Sequence, residues 1–216
     1  MNIFIKIGIL FSFIYPLKIH GKLIALRNFI YTGWIKNKFK KFDGIAEYSI
    51  FFHNSQCISV GESTNINMRA RIMAWTSYNG IAYNPIIEIG KNSSIGSDCF
   101  LSAVNKIYIG DNVAITARTL VLDNVHGNFN ESSYTFTGSS TIPDVFLKNV
   151  KTRQLYSRGP VIIEDNVHIG ENCVIMPGVT IGHNSVVSAN SVIVKDIPPY
   201  SIVAGNPGKL IISFGG

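Results

Sequence analysis

Six aliphatic residues recur in strict register near the end of this chain: Ile163, Ile169, Ile175, Ile181, Val187 and Ile193. A period of six matches neither the 3.6-residue turn of an α-helix nor the two-residue alternation of a strand. It matches a parallel β-helix, in which each hexad supplies one short strand and one corner and stacked coils bury a core that no single coil could bury. The second hexad position holds Glu164, Gly170, Met176, Gly182 and Ser188, and the fifth holds Val167, Cys173, Val179, Ser185 and Ser191. The aliphatic residue is expected to point inward and the small fifth residue to fill the crowded space beside it. The other positions face outward or turn the corner.

The same register opens shorter runs upstream. Val60-Gly61 starts one hexad and Ile66 a looser second; Ile89-Gly90 and Ile95-Gly96 start another pair; Ile109-Gly110 and Ile115 start a third, with Val121 in step. Isoleucine-glycine at fixed spacing argues against a sandwich of ordinary short strands. Irregular stretches at 73–86 and 101–108 separate the runs, and a longer one, 123–160, parts Val121 from Ile163. The expected organisation is an N-terminal segment over 1–57, a β-helix over 58–212 with an inserted loop at 123–160, and a tail at 213–216.

Charge divides the chain in the same way. Residues 1–41 hold eight Lys or Arg and no Asp or Glu, so of the net +6 all the excess lies there; residues 42–216 hold eleven basic and thirteen acidic side chains. Residues 3–15 are apolar except for Lys6 and Ser12, a run too short for a secure membrane span and without a small-residue cleavage site after it. Beyond Pro16, Lys18, Lys22 and Arg27 interleave with Ile19, Leu23, Ile24, Leu26, Phe29 and Ile30. Two readings stand for this helical segment: it lies on an anionic membrane face, or it packs on the β-helix or a sister subunit. Its density of Ile and Phe argues against nucleic acid. Only 15% of the residues are charged, which points to a buried subunit interface. Cys99 and Cys173 take fifth hexad positions and no CxxC pair occurs, as in the reduced core thiols of a cytoplasmic protein.

The informative interruption is Leu122-Asp123-Asn124-Val125-His126-Gly127, which leaves the repeat after an in-register pair of hexads and opens a polar loop running to Arg158-Gly159-Pro160. A long loop inserted into a regular solenoid is more often functional than decorative. His126 sits where rigid coil gives way to loop, a position suited to a base of fixed geometry. The other histidines are weaker candidates: His168 and His183 are outward or corner positions, and His20 and His53 precede the repeat. None forms an H-x-x-x-x-H spacing that would bring ligands to a metal between coils. No GxSxG, Walker loop or GxGxxG occurs, so ester hydrolysis and nucleotide chemistry lack support.

These residues resemble the hexapeptide-repeat acyltransferases, a left-handed parallel β-helix family, over residues 58–212. The stretch VIIEDNVHIGENCVIMPGVTIGHNSVVSANSVIVKDIPPYSIVAGNPGKLI is similar to the family's closing coils nearly residue for residue. AWTSYNG…YNPIIEIG and AVNKIYIGDNV resemble the branch that acetylates sugars of bacterial surface polysaccharides. Asp123-Asn124-Val125-His126-Gly127 resembles that branch's D-H-x-H-G signature, whose last histidine is the catalytic base.

The resemblance implies a homotrimer with active sites between subunits and acetyl-CoA as donor, its pantetheine lying along the coils. It implies cofactor contacts at Ala117, Ala189, Lys195 and Lys209, and acceptor contacts at Asp98 and Asn124. Asp123 is the candidate to orient the imidazole, although a backbone carbonyl would serve. Departures are Asn124 for the signature's first histidine, Gly96 for an acceptor-binding asparagine, His168 for an outward tryptophan, and Val194 for a threonine near the pantetheine. The expected function is O-acetylation of a sugar hydroxyl in a surface polysaccharide or its precursor, without a metal, by a cytoplasmic protein, either free or peripheral at the inner face of the cytoplasmic membrane. N-acetylation of a (nucleotide-linked) amino sugar is the alternative within the family. A non-catalytic structural β-helix is the alternative outside it.

Overall fold

The computed structural model describes residues 17–128 and 149–214. Helix α1 (Leu17–Lys36) leads into short strands that wind as a left-handed parallel β-helix. The first coil is β1 (Lys41–Phe42), β2 (Ile45–Ala46) and β3 (Phe51–His53); the second is β4 (Ile58–Val60), β5 (Asn65–Ile66) and β6 (Arg71–Ala74). Hairpin β7 (Ser77–Tyr78) and β8 (Ile81–Ala82) then leaves the coil. The third coil is β9 (Ile86–Ile89), β10 (Ser94–Ile95) and β11 (Phe100–Ala103), and the fourth is β12 (Lys106–Ile109), β13 (Ala114–Ile115) and β14 (Leu120–Leu122). A second hairpin, β15 (Val125–His126) with β16 (Leu155–Tyr156), brackets the inserted loop. The later coils are β17 (Val161–Ile163), β18 (His168–Ile169) and β19 (Val174–Ile175), then β20 (Thr180–Ile181), β21 (Val186–Val187) and β22 (Val192–Ile193). Strand β23 (Ser201–Ala204) continues the helix, and β24 (Lys209–Ser213) folds back antiparallel on it.

Corresponding strands of successive coils pair in parallel and build three faces: the first from β1, β4, β9, β12, β17 and β20, the second from β2 onward to β23, the third from β3, β6, β11, β14, β19 and β22. The hexad explains the packing. The six register-setting residues from Ile163 to Ile193 are 2% exposed or less, and so are the fifth-position residues from Val167 to Ser191. Hydroxyls at the fifth position are not orphaned there: Thr64 Oγ1 donates to the Gly90 carbonyl (2.6 Å) and Ser93 Oγ to Gly110 (2.9 Å), one coil on. Buried polar groups that bond the next coil in this way hold the stack in register. The second position must be small where coils lie directly on one another: a Cβ on Gly90 would come 2.5 Å from the Gly110 carbonyl oxygen. The corners between the first and second and between the second and third faces turn on left-handed residues. Asn92, Asn112, Asn166, Asn172, Asn184 and Asn190 have φ between 51° and 62°, a region asparagine tolerates better than most side chains.

Two boundaries differ from the sequence reading. The β-helix begins at Lys41, not at residue 58, because the first coil pairs with the second along all three faces. Its core residues Phe42, Ala46 and Ile50 are buried but spaced by four, so they carry no hexad signal. Helix α1 closes this end. Thr32 Oγ1 accepts from Ala46 N–H (2.9 Å), Asn28 Oδ1 accepts from Tyr48 N–H (3.2 Å), and Ile35 is buried against the core. At the other end, β24 reaches Ser213, so the fold continues into the expected tail. The apolar run at 3–15 and most of the polar inserted loop lie outside the described residues.

Candidate active site

The three edges of the prism are not equivalent. Two are made of tight turns, whereas the edge from the third face back to the first carries the excursions: hairpin β7–β8 after Ala74 and the β15–β16 insertion after Leu122. The two excursions are fastened together. Tyr83 Oη donates to the Leu155 carbonyl (2.9 Å), and Asn79 Nδ2 donates to the carbonyls of Lys151 (2.8 Å) and Arg153 (3.3 Å). Asn79 and Gly80 have φ of 47° and 78°, the positive pair that lets a two-residue turn match the twist of its strands.

His126 stands on β15, paired with Leu155 and exposed. Gly127 N–H donates to the Gln154 carbonyl (2.9 Å) and extends the same pairing. The ring of Tyr78 meets the imidazole edge to face, with centroids 5.4 Å apart and planes at 70°. Tyr78 in turn lies against Trp75 (6.0 Å), and Trp75 against His53 (4.9 Å). A wall of aromatic rings therefore runs down this edge and ends at His126. Arg153 Nε is buried here without a hydrogen-bond partner among the described residues.

Asp123 has a different place from the one expected. It is fully buried, and its carboxylate accepts from Val104 N–H (2.9 Å), Asn105 N–H (2.8 Å) and Asn124 Nδ2 (3.0 Å). Burial pushes its carboxyl above the ordinary value, and these hydrogen bonds pull it back only in part. Both oxygens are committed to the corner of the preceding coil, and among the described residues no bond joins Asp123 to the imidazole. Asp123 thus anchors the chain where the hairpin departs rather than orienting the ring. Asn124 is likewise internal, 8% exposed, its amide donating to the Ser102 carbonyl (2.9 Å) and to Ser102 Oγ (3.2 Å). That hydroxyl also accepts from Trp75 Nε1 (3.2 Å). An amide spent on the coil is not free to read an acceptor.

The remaining candidates fall on two edges. Ala117, Glu171 and Ala189 stack coil on coil along the edge between the second and third faces: Asn172 N–H donates to the Ala117 carbonyl (3.1 Å) and Asn190 N–H to that of Glu171 (2.8 Å). Lys209 pairs with Ala204 near the end of the same edge and is exposed. Asp98 also lies on this edge, clasped by Arg69 at 2.7 and 2.8 Å, which holds its carboxyl below the ordinary value. Lys195 lies instead on the His126 edge, after β22, exposed. Within one chain the structure therefore does not bring His126 together with Ala117, Ala189, Lys209 or Asp98. Cys99 and Cys173 are buried, free thiols, and burial pushes Cys99 up to about 11. Among the described residues no three His, Cys, Asp or Glu side chains gather to hold a metal ion.

Residues 160–195 match the family model described as the hexapeptide repeat of succinyl-transferase. The chain is 27% identical over 167 residues to the putative lipopolysaccharide biosynthesis O-acetyl transferase WbbJ of Escherichia coli K12, covering 77% of each. Over these stretches the chain is similar to hexapeptide-repeat acyltransferases. Other relatives extend the comparison. The galactoside O-acetyltransferase of Escherichia coli K12 is 34% identical over 126 residues, which cover 57% of this chain and 62% of that enzyme, under two thirds of its length. Among solved structures, the N-acyltransferase AntD from Bacillus cereus, in complex with dTDP-4-amino-4,6-dideoxyglucose and coenzyme A, superposes with a TM-score of 0.64 over 86% of this chain and 90% of its own. At 21% identity that likeness is one of fold.

Tyr78, Trp75 and Tyr83 were not singled out as site residues by sequence reasoning. One signal was present: Asn79-Gly80 between Ser77-Tyr78 and Ile81-Ala82 is a two-residue hairpin signature, set where the hexad register lapses.

Proposed function

We propose that this protein transfers the acetyl group of acetyl-CoA to a sugar hydroxyl of a surface polysaccharide or its precursor, with His126 as general base. The observation that carries the proposal is His126 itself, exposed on a braced hairpin at the one edge that departs from the repeat. The likeness to WbbJ over most of both chains supports a glycan hydroxyl as acceptor.

One ring nitrogen of neutral His126 takes the hydroxyl proton as the oxygen attacks the thioester carbonyl. A coil backbone N–H stabilises the tetrahedral oxyanion. The carbon–sulfur bond then breaks, the imidazolium returns its proton to the thiolate, and coenzyme A leaves as the free thiol. No covalent enzyme intermediate is required. Among the described residues no carboxylate meets the ring, and Tyr78 packs edge to face against it.

The split between edges supports a site shared between chains. His126 and Lys195 lie on one edge and Ala117, Ala189 and Lys209 on another, separated by a face whose strands of up to four residues span about 13 Å. Setting the second edge of one copy against the first edge of its neighbour would join them. Such a head-to-tail contact gives a ring when its rotation closes, and a threefold rotation would make the proposed homotrimer. Asp98 would reach the acceptor only from the neighbouring chain, and only by sharing Arg69.

The test is acetyl-CoA turnover against a panel of free, nucleotide-linked and lipid-linked sugars, some bearing amines. A product whose acetyl group is released by mild base is an ester and supports the proposal. A base-stable amide on an amino sugar favours N-transfer, the reaction class of AntD. Failure to bind acetyl-CoA at all sinks the enzymatic reading.

A further inference from the structure

We infer that the outer face of α1 is a docking surface for an anionic lipid bilayer, on which the protein sits peripherally by its N-terminal end. Helix α1 meets the first coil through Asn28, Tyr31, Thr32 and Ile35. At about 100° per residue the opposite side of the helix carries Ile19, Leu23, Leu26, Ile30 and Trp34, with Phe29 beside them. These six are 45–67% exposed. A capping helix that faced only water would carry polar residues there, as surface helices do. A contiguous stripe of large apolar side chains marks a surface with a partner.

The charges around the stripe select the partner. Lys22 and Arg27 flank it on the helical projection, and Lys38 Nζ lies 4.2 Å from the Trp34 ring centroid. Residues 1–41 contain no acidic side chain. The nearest carboxylate in sequence, Asp43, is already shared by Lys36 (3.4 Å) and Lys41 (3.3 Å). A second copy laid against this face would bring cation against cation, whereas an anionic lipid surface supplies the missing negative charge. Large apolar residues flanked by lysine and arginine are what an interfacial helix presents to the boundary between headgroups and acyl chains, and tryptophan is favoured at that depth. No helix among the described residues is long and apolar enough to cross a membrane, and a stripe of this kind suits contact with the surface. The inference does not depend on the acetyl-transfer reading.

The test is sedimentation of the full-length protein with vesicles of phosphatidylglycerol and phosphatidylcholine, and with phosphatidylcholine alone, at low and high salt. Binding to the anionic vesicles that weakens with salt is expected. The pair Phe29→Glu and Trp34→Glu, both facing outward, should reduce partitioning at least tenfold while thermal unfolding and acetyl-CoA turnover stay as in the wild type. Should that pair fail to fold, Phe29→Gln with Trp34→Gln takes its place. Lys22→Glu with Lys38→Glu should weaken binding and flatten its salt dependence. Phe214→Glu, an exposed apolar residue at the opposite end, should change nothing. Equal binding to neutral vesicles, or none to anionic ones, overturns the inference. So does undiminished binding of the stripe variants, which would assign it to residues 1–16. A fall in oligomer mass with binding intact would make the stripe a contact between copies, and overturns it too.

Discussion

The edge between the second and third faces and the edge between the third and first are built by one chain under different rules. On the former, each coil spends a hexad on a strand and a left-handed corner, and the next coil lies so close that a Cβ on Gly96 would sit 2.6 Å from Ala117 N. Nothing can be inserted there without parting the coils. On the latter, the third-face strand can run on into a hairpin, because the core is already closed by the residues behind it. A solenoid keeps its stability in the repeat and is free to put its excursions, and in the proposed function its chemistry, at the corner that the repeat does not need. The tight edge presents backbone and small side chains; the loose edge presents His126 on an arm, the base of the proposed reaction.

The sharpest way to break this division is to attack the repeat itself. Ile175 is fully buried in the third face. Ile175→Asp would place an unpaired carboxylate in the core at a cost of several kcal/mol, comparable to the whole stability of a domain. Loss of cooperative thermal unfolding is expected, and an unchanged melting curve would mean that the core does not carry the stability.

Attack on the loose edge should have the opposite signature. His126→Ala is expected to lower turnover by about 10²- to 10⁴-fold and leave unfolding untouched, since the side chain is exposed. Near-normal transfer by this variant would remove His126 from the mechanism. On the tight edge, Ala189→Phe adds bulk at an exposed position. It should raise KM for acetyl-CoA about tenfold with kcat nearly unchanged, the pattern of lost uniform binding. An effect on kcat alone would contradict the assignment of this edge to the donor.

The sequence made the tight edges plain and the loose edge only half so, for a physical reason. Hexad residues act through neighbours one coil away at a fixed offset, so Ile163 to Ile193 announce themselves by spacing alone. The first coil escaped notice because Phe42, Ala46 and Ile50 fill a core shaped by α1, not by another hexad. Asp123 was misassigned because its partners, Val104 and Asn105, lie 19 and 18 residues upstream in the previous coil. A buried anchor and a catalytic carboxylate look the same in one dimension. Tyr78 has no periodic signal at all, and it reaches His126 only because two separate excursions fold against each other.

Asp123 gives a test of anchoring against chemistry. In Asp123→Asn the amide nitrogen must face either Asn105 N–H or Val104 N–H, so one buried donor loses its acceptor, at about 1–3 kcal/mol. Burial raises this carboxyl in the folded protein, so its contribution to stability is full below the unfolded value and declines as pH rises through the folded one. The variant does not titrate there. Its penalty, read by urea unfolding from about pH 3 to pH 7, should be largest in acid and shrink upward. A penalty that grows with pH would mean that Asp123 is held as an ion.

The smallest effect expected is at Tyr78, and it tests whether the loose edge is a braced arm or merely a loop. The hydroxyl takes no part in the edge-to-face contact with the imidazole, which is a property of the ring. Aromatic contacts of this geometry are worth about 0.5–1.5 kcal/mol. If ring orientation is what Tyr78 supplies, Tyr78→Ala should lower kcat by roughly 2- to 12-fold, that energy expressed as a rate. KM for acetyl-CoA should stay unchanged, because Ala117, Ala189 and Lys209, the donor contacts proposed for the tight edge, lie away from Tyr78. Tyr78→Phe keeps the ring and should restore the loss. Tyr83→Phe removes instead the bond to the Leu155 carbonyl, which fastens one hairpin to the other. Combined with Tyr78→Ala it should cost more than the two single changes together, since the imidazole would then lose both its wall and the brace behind its strand. Strict additivity of the pair would show that the two excursions act independently.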